Sequence, residues 1–116
     1  MDKEKVFAMK LSRVYPLLLE KARRRGRSEE EVEEVVFWLT GYDREGLERC
    51  LGEDMSYGDF FRQAPAMNPL REKITGTVCG VRVENVADPL MREIRRLDKL
   101  VDELAKGKAM EKILRK

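Results

Sequence analysis

The run DPLMREIRRLDKLVDELAKG, Asp88 to Gly107, carries the plainest structural signal in this 116-residue chain. Ala87, Leu90, Ile94, Leu97, Val101 and Leu104 alternate spacings of three and four, which lines them along one side of a helix. Met91 and Leu100 widen that stripe. Asp88-Pro89 offers a cap followed by a proline at the first helical position, and Gly107 a left-handed stop. The pattern lasts too few heptads for a free-standing coiled coil, so it predicts the central helix of a bundle.

Working outward, similar punctuation recurs upstream. Ser28 with Glu31 three residues on has the spacing of a capping box, and Val32, Val35, Val36 and Leu39 supply an apolar face that Phe37 and Trp38 broaden. Gly41 closes this helix. An earlier helix is expected from Tyr15 or Pro16, with Ser12 as another candidate cap, burying Leu17, Leu18 and Ala22 and stopping at Gly26. Asp43 caps a short third helix through Leu47 and Leu51, closed by Gly52. Ser56 with Asp59 starts another, which carries Phe60 and Phe61 and halts at Pro65. Asn68-Pro69 opens the segment that runs into ITGTVCGVRV.

That segment is ambiguous. Its Ile, Thr and Val residues suit a strand. Leu70, Ile74, Val78 and Val81, however, share one helical face, and strand alternation sets Gly76 and Gly80 on the side of Ile74 and Val78. The helical reading is preferred for Ile74–Val83. Ala109 to Leu114 adds a last turn or two, and Val6 to Leu11 reads as a short strand or extended packing segment. The expected architecture is all-α: one domain over residues 1–116, a compact bundle of about five helices with a short extended N-terminal arm.

Composition narrows the chemistry. Charged residues make up 40% of the chain, yet 24 basic against 22 acidic residues leave only +2, and there is no His. Imidazole acid–base catalysis, Ser-His and Cys-His pairs and His metal ligands are thereby excluded. Near-balanced charge argues against a generally basic nucleic-acid binder. Gln and Asn are scarce beside Arg, Lys and Glu, a profile shared by proteins from hot environments. The two cysteines form neither a metal-type pair nor a disulfide framework, and the charged start MDKEKVFAMK lacks a signal-peptide pattern, so a reduced cytoplasmic setting is expected. The longest apolar run, VVFWL, is too short to cross a bilayer. No metal and no cofactor are expected.

The basic run KARRRGR, with Lys21, Arg23, Arg24, Arg25 and Arg27, has the look of a phosphate-contacting patch. Its position offers a plainer account: cations in the last turn of one helix and Glu29, Glu30 and Glu31 in the first turn of the next both complement helix dipoles. Asp98 and Asp102 alternate with basic residues as surface pairs do. Cys79 has only Arg82 nearby to activate it and reads as a small buried thiol.

The stretches VYP (Val14 to Pro16), GRSEEEV, FWLTGYD (Phe37 to Asp43), FFRQAP and ITGTVCGVRVENVADPLMREIRRLDKLVDELAKGKAMEKIL resemble the prokaryotic domain-of-unknown-function family 2200 over nearly the whole chain. The resemblance implies a small single-domain cytoplasmic protein and no particular activity. It also implies His residues after the YP pair and near the N-terminus, where this chain has Leu17 and Lys3 to Lys5. The motif positions with side chains that packing does not demand are Trp38, Tyr42, Asp43, Cys79, Arg82 and Glu84, the candidates for a ligand pocket.

The preferred functional expectation is a non-enzymatic, self-associating interaction module, most simply a dimer. Its face would be the stripe Leu90, Met91, Ile94, Leu97, Leu100, Val101 and Leu104, if the other helices are too thin to cover it. A small-ligand protein or enzyme with a pocket near Trp38, Tyr42 and Arg82 is the alternative. A weak nucleic-acid binder using Lys21 to Arg27 comes third.

Overall fold

The computed structural model describes residues 3–116. Seven α-helices run along them: α1 (Lys3–Ala8), α2 (Leu11–Arg23), α3 (Glu29–Thr40), α4 (Arg44–Gly52), α5 (Tyr57–Arg62), α6 (Pro89–Ala105) and α7 (Met110–Ile113). A 3-10 turn at Pro69–Lys73, a hairpin of β1 (Thr77–Val78) and β2 (Val81–Arg82), and a second 3-10 turn at Val83–Asn85 fill the stretch before α6.

The 88–107 pattern becomes the central element. The Asp88 carboxylate accepts from the Met91 N–H at 2.9 Å, Pro89 takes the first helical position, and Gly107 leaves the helix at φ +84°. Ile94, Leu97, Leu100, Val101 and Leu104 are buried, facing α2 and α3, with the hairpin and α5 also against α6. Burying a side chain of this size contributes about 1.5–3 kcal/mol, so this stripe is the main source of cohesion.

The other caps form as the spacing predicts. Ser28 Oγ accepts from the Glu31 N–H at 3.2 Å while the Glu31 carboxylate accepts from the Ser28 N–H at 2.9 Å. Asp43 accepts from the Gly46 N–H, and Ser56 from the Asp59 N–H. Gly41 stops α3 at φ +80°.

Three elements differ from expectation. Residues 74–83 turn back as a hairpin, not a helix. Cys79 and Gly80, the two residues between the strands, have φ +50° and +77°, the pair of positive values that a two-residue hairpin turn needs, and Gly76 has φ +105°. A right-handed helix has none of these. Residues 3–8 are helical, not extended: α1 packs on α5, and Phe7 lies beneath the Arg62 guanidinium, 5.8 Å from ring centroid to Cζ. In α2 the start is Leu11, so Pro16 sits inside the helix. Leu11, Val14, Tyr15, Leu18 and Ala22 form its buried face, and that burial offsets the backbone bond Pro16 cannot make. Leu17 consequently points away from the core and is 63% exposed. Gly52 closes α4 as expected, and a left-handed position follows two residues on, at Asp54 (φ +58°).

Candidate functional site

The pocket candidates do not converge. Tyr42 and Asp43 line a cleft of about 420 Å³ beside Arg49 and Gln63 at the start of α4, but Trp38, Cys79, Arg82 and Glu84 are not among its walls. Tyr42 is buried, stacks on Phe60 with centroids 4.5 Å apart and donates its hydroxyl to the Phe60 carbonyl at 2.7 Å. Asp43 is occupied as a cap. Trp38 is half-buried, and its carbonyl accepts from the Asn68 amide. Arg82 and Glu84 pair with each other at 3.4 Å on the hairpin. Glu84 also accepts from the Gly76 N–H at 2.9 Å, which, with Arg82, holds its carboxyl below the ordinary range. Cys79 is exposed at the turn, not buried as read from sequence, because the left-handed turn lifts it off the core. Tyr42, Asp43 and Glu84 thus each hold a neighbouring backbone segment in place.

The apolar stripe is occupied as well. Five of its members form the chain's own core, and Leu90 and Met91 pack half-buried against it, because α2, α3 and the hairpin cover more of α6 than helix count alone suggests. The large apolar side chains left outside are Leu17 and Met9, at 63% and 39% exposure.

Leu17 marks the most developed surface feature. Between α2 and α6 runs a groove of about 740 Å³, with Leu17 at one end and Ala105 among its walls. Lys21 reaches Asp102 at 3.3 Å, Lys106 reaches the same carboxylate at 3.1 Å, and Arg24 pairs with Glu20 at 3.2 Å. Burial works against ionisation of Asp102, but the Lys106 hydrogen bond and Lys21 outweigh it and keep its carboxyl below the usual range. On the other side of Leu17 a smaller cavity of about 220 Å³ opens against α1, α5 and α6.

This arrangement sorts the basic run. Lys21 and Arg24 are paired, as above. Arg27 is mostly buried: it pairs with Glu31 at 2.7 Å and donates to the carbonyls of Leu104 and Lys108. Arg23 and Arg25 stay exposed without an ion-pair partner among the described residues. Within the run, Arg27 joins the α2–α3 turn to the end of α6, and Lys21 ties α2 to α6. Sequence reasoning missed the Leu17 face because it placed Leu17 in the core; the 11–14–15–18–22 spacing was the signal that it lies outside.

Comparison with known proteins agrees with the fold. A crystal structure described as that of uncharacterized protein SP1917 superposes with a TM-score of 0.92 at 53% identity, covering 98% of this chain and 93% of the other. No curated protein matches the sequence. Residues 5–115 match the family described as "Uncharacterized protein conserved in bacteria (DUF2200)", and with nearly the full length matched, the chain belongs to that family.

Proposed function

We propose that this protein is a self-associating interaction module and that its contact face is the Leu17 surface between α2 and α6. The observation that carries this reading is the 63% exposure of Leu17 in a chain whose other leucines are buried or half-buried. An aliphatic side chain held out on a rigid helix beside a groove gains by being covered.

A second copy of the chain is the occupant that the charges favour. Most ionic groups of the groove are already paired within the chain, so two like faces meet without stacking unpaired like charges at the centre. Arg25 remains at the edge, where water screens it. A two-fold contact would set Leu17 against the groove of its partner. The same pairing disfavours a polyanion, which would have to compete with Asp102, Glu20 and Glu31 for the basic run.

Light scattering over a wide concentration range tests this. A mass rising to that of a dimer is expected, and Leu17→Glu should shift the association at least ten-fold toward monomer with the fold intact by circular dichroism. A monomer at every concentration sinks the reading.

A further inference from the structure

Among the helices of the described residues, α1 alone has no buried side chain; Val6 and Phe7 are half-buried and the rest exposed. Six residues are too few to hold a helix in water unaided, so α1 is helical because it is docked. Its seat is narrow. On one flank a cleft of about 460 Å³ separates Phe7 and Ala8 from Ser56 and Asp59, and on the other the cavity of about 220 Å³ lies between Val6 and Tyr57. Between these openings Phe7 rests on Gly58. A Cβ added to Gly58 would lie 3.0 Å from the Phe7 Cβ and 3.2 Å from its carbonyl oxygen, so the glycine is what lets α1 come this close to α5. Two exposed contacts complete the attachment: Arg62 over the Phe7 ring, and Lys3 with Asp88 at 3.1 Å. Water weakens both kinds.

The chain just behind α1 is fixed by contrast. The Leu11 N–H donates to the Met55 carbonyl at 2.8 Å and the Tyr57 N–H to the Met9 carbonyl at 2.7 Å, which pins residues 9–11 to the start of α5. A pivot is therefore defined between Ala8 and Met9. Docked, α1 also adds to the surface around Leu17. Val6 and Met9 line the same cavity as Leu17, and Leu17 stands between that cavity and the α2–α6 groove. A second copy seated on Leu17 bears on both.

We propose that α1 is a hinged flap that leaves α5 as a unit, and that its docking completes the Leu17 face for a second copy of the chain. The first part stands without self-association; the second rests on that reading. Undocked, α1 melts, withdraws Val6 from beside Leu17 and uncovers the Gly58 side of α5. A partner that contacts Val6 and Leu17 together binds only the docked form. By linkage it then holds α1 down, and whatever loosens α1 weakens association by the same factor.

Amide hydrogen exchange of the full chain, read by NMR, tests this. At low concentration the Phe7, Ala8 and Met9 amides should share one opening constant, about a hundred-fold or more above that of the Leu11 and Tyr57 amides and of the α6 core. Gly58→Ala favours α5 as a helix but wedges Phe7 away. It should raise the α1 constant about ten-fold or more while the α6 amides exchange no faster. Phe7→Ala should do the same, and it replaces Gly58→Ala if that variant does not fold. Opening that grades from Phe7 to Met9 is simple end fraying and overturns the flap. So does exchange of α1 in step with Leu11 and Tyr57, or α1 exchange that neither variant changes. Where light scattering shows a dimer, α1 opening should fall as monomer is consumed; opening that stays constant in the dimer overturns the coupling. A monomer at every concentration ends the self-association reading and the coupling with it, while the exchange pattern still decides for or against the flap.

Discussion

Gly26 and Gly41 share a backbone conformation, φ +80°, but not an environment. A Cβ on Gly26 would meet nothing within 4 Å, whereas one on Gly41 would lie 2.8 Å from the backbone N and O of Ala66. The Ala66 N–H is bonded to the Thr40 carbonyl, and the Asn68 N–H to that of Leu39, so that strand of chain is fixed over the end of α3. Gly26→Ala should therefore cost about 1 kcal/mol, the left-handed penalty alone. Gly41→Ala should cost at least about 2 kcal/mol more, because the backbone must also move. Urea unfolding of the two variants measures the difference directly, and equal costs would refute the steric term.

For the helices, the cap of α3 is the most exposed to test. Ser28→Ala should lose about 1 kcal/mol of stability. Glu31 reinforces the same cap: the Arg27 side chain and the Ser28 N–H hold its carboxyl below the ordinary 4.5. A depressed carboxyl contributes stability that is present above the unfolded value and lost as pH falls through the folded one. Glu31→Gln is thus expected to cost about 0.5 kcal/mol at neutral pH, after screening at this exposed site, and nothing once the solution is acid enough to protonate Glu31 in the fold. Chemical unfolding at neutral and at strongly acid pH checks both the size and the sign. Caps such as this one were legible because they depend on side chains three residues apart, and α6 because its face repeats over seventeen positions. The hairpin was not, since helical spacing and strand propensity compete over ten residues and the positive φ at Cys79 has no marker in a non-glycine residue. Nor was α1, whose six residues gain their helix by docking on α5. The Leu17 face was hidden by one proline read as a helix start, and the cavity by Tyr57, Ile94 and Val14 lying on three different elements.

Across the whole molecule, the abundant charge resolves into short networks that tie distant segments to α6. Arg71 meets Glu93 at 2.6 Å, Glu93 meets the buried Arg96 at 2.7 Å, and Arg96 reaches Glu72, which fastens the 3-10 turn. Arg115 grips the buried Glu103 with both nitrogens, at 2.6 and 2.9 Å. Arg27 is among the longest of these ties, since its carbonyl acceptors lie 77 and 81 residues further along the chain. That separation has a kinetic meaning. A clasp that closes so large a loop is expected to form after the folding transition state, once α2, α3 and α6 have met. Losing it should leave the rate of refolding nearly unchanged and speed unfolding. In a stopped-flow chevron, Arg27→Gln should raise the unfolding arm about five-fold or more while the refolding arm stays in place; an equal drop in the refolding arm would make the clasp part of the nucleus. On this view Arg27 acts as a latch on the finished fold, setting how long each molecule stays folded more than how quickly it gets there.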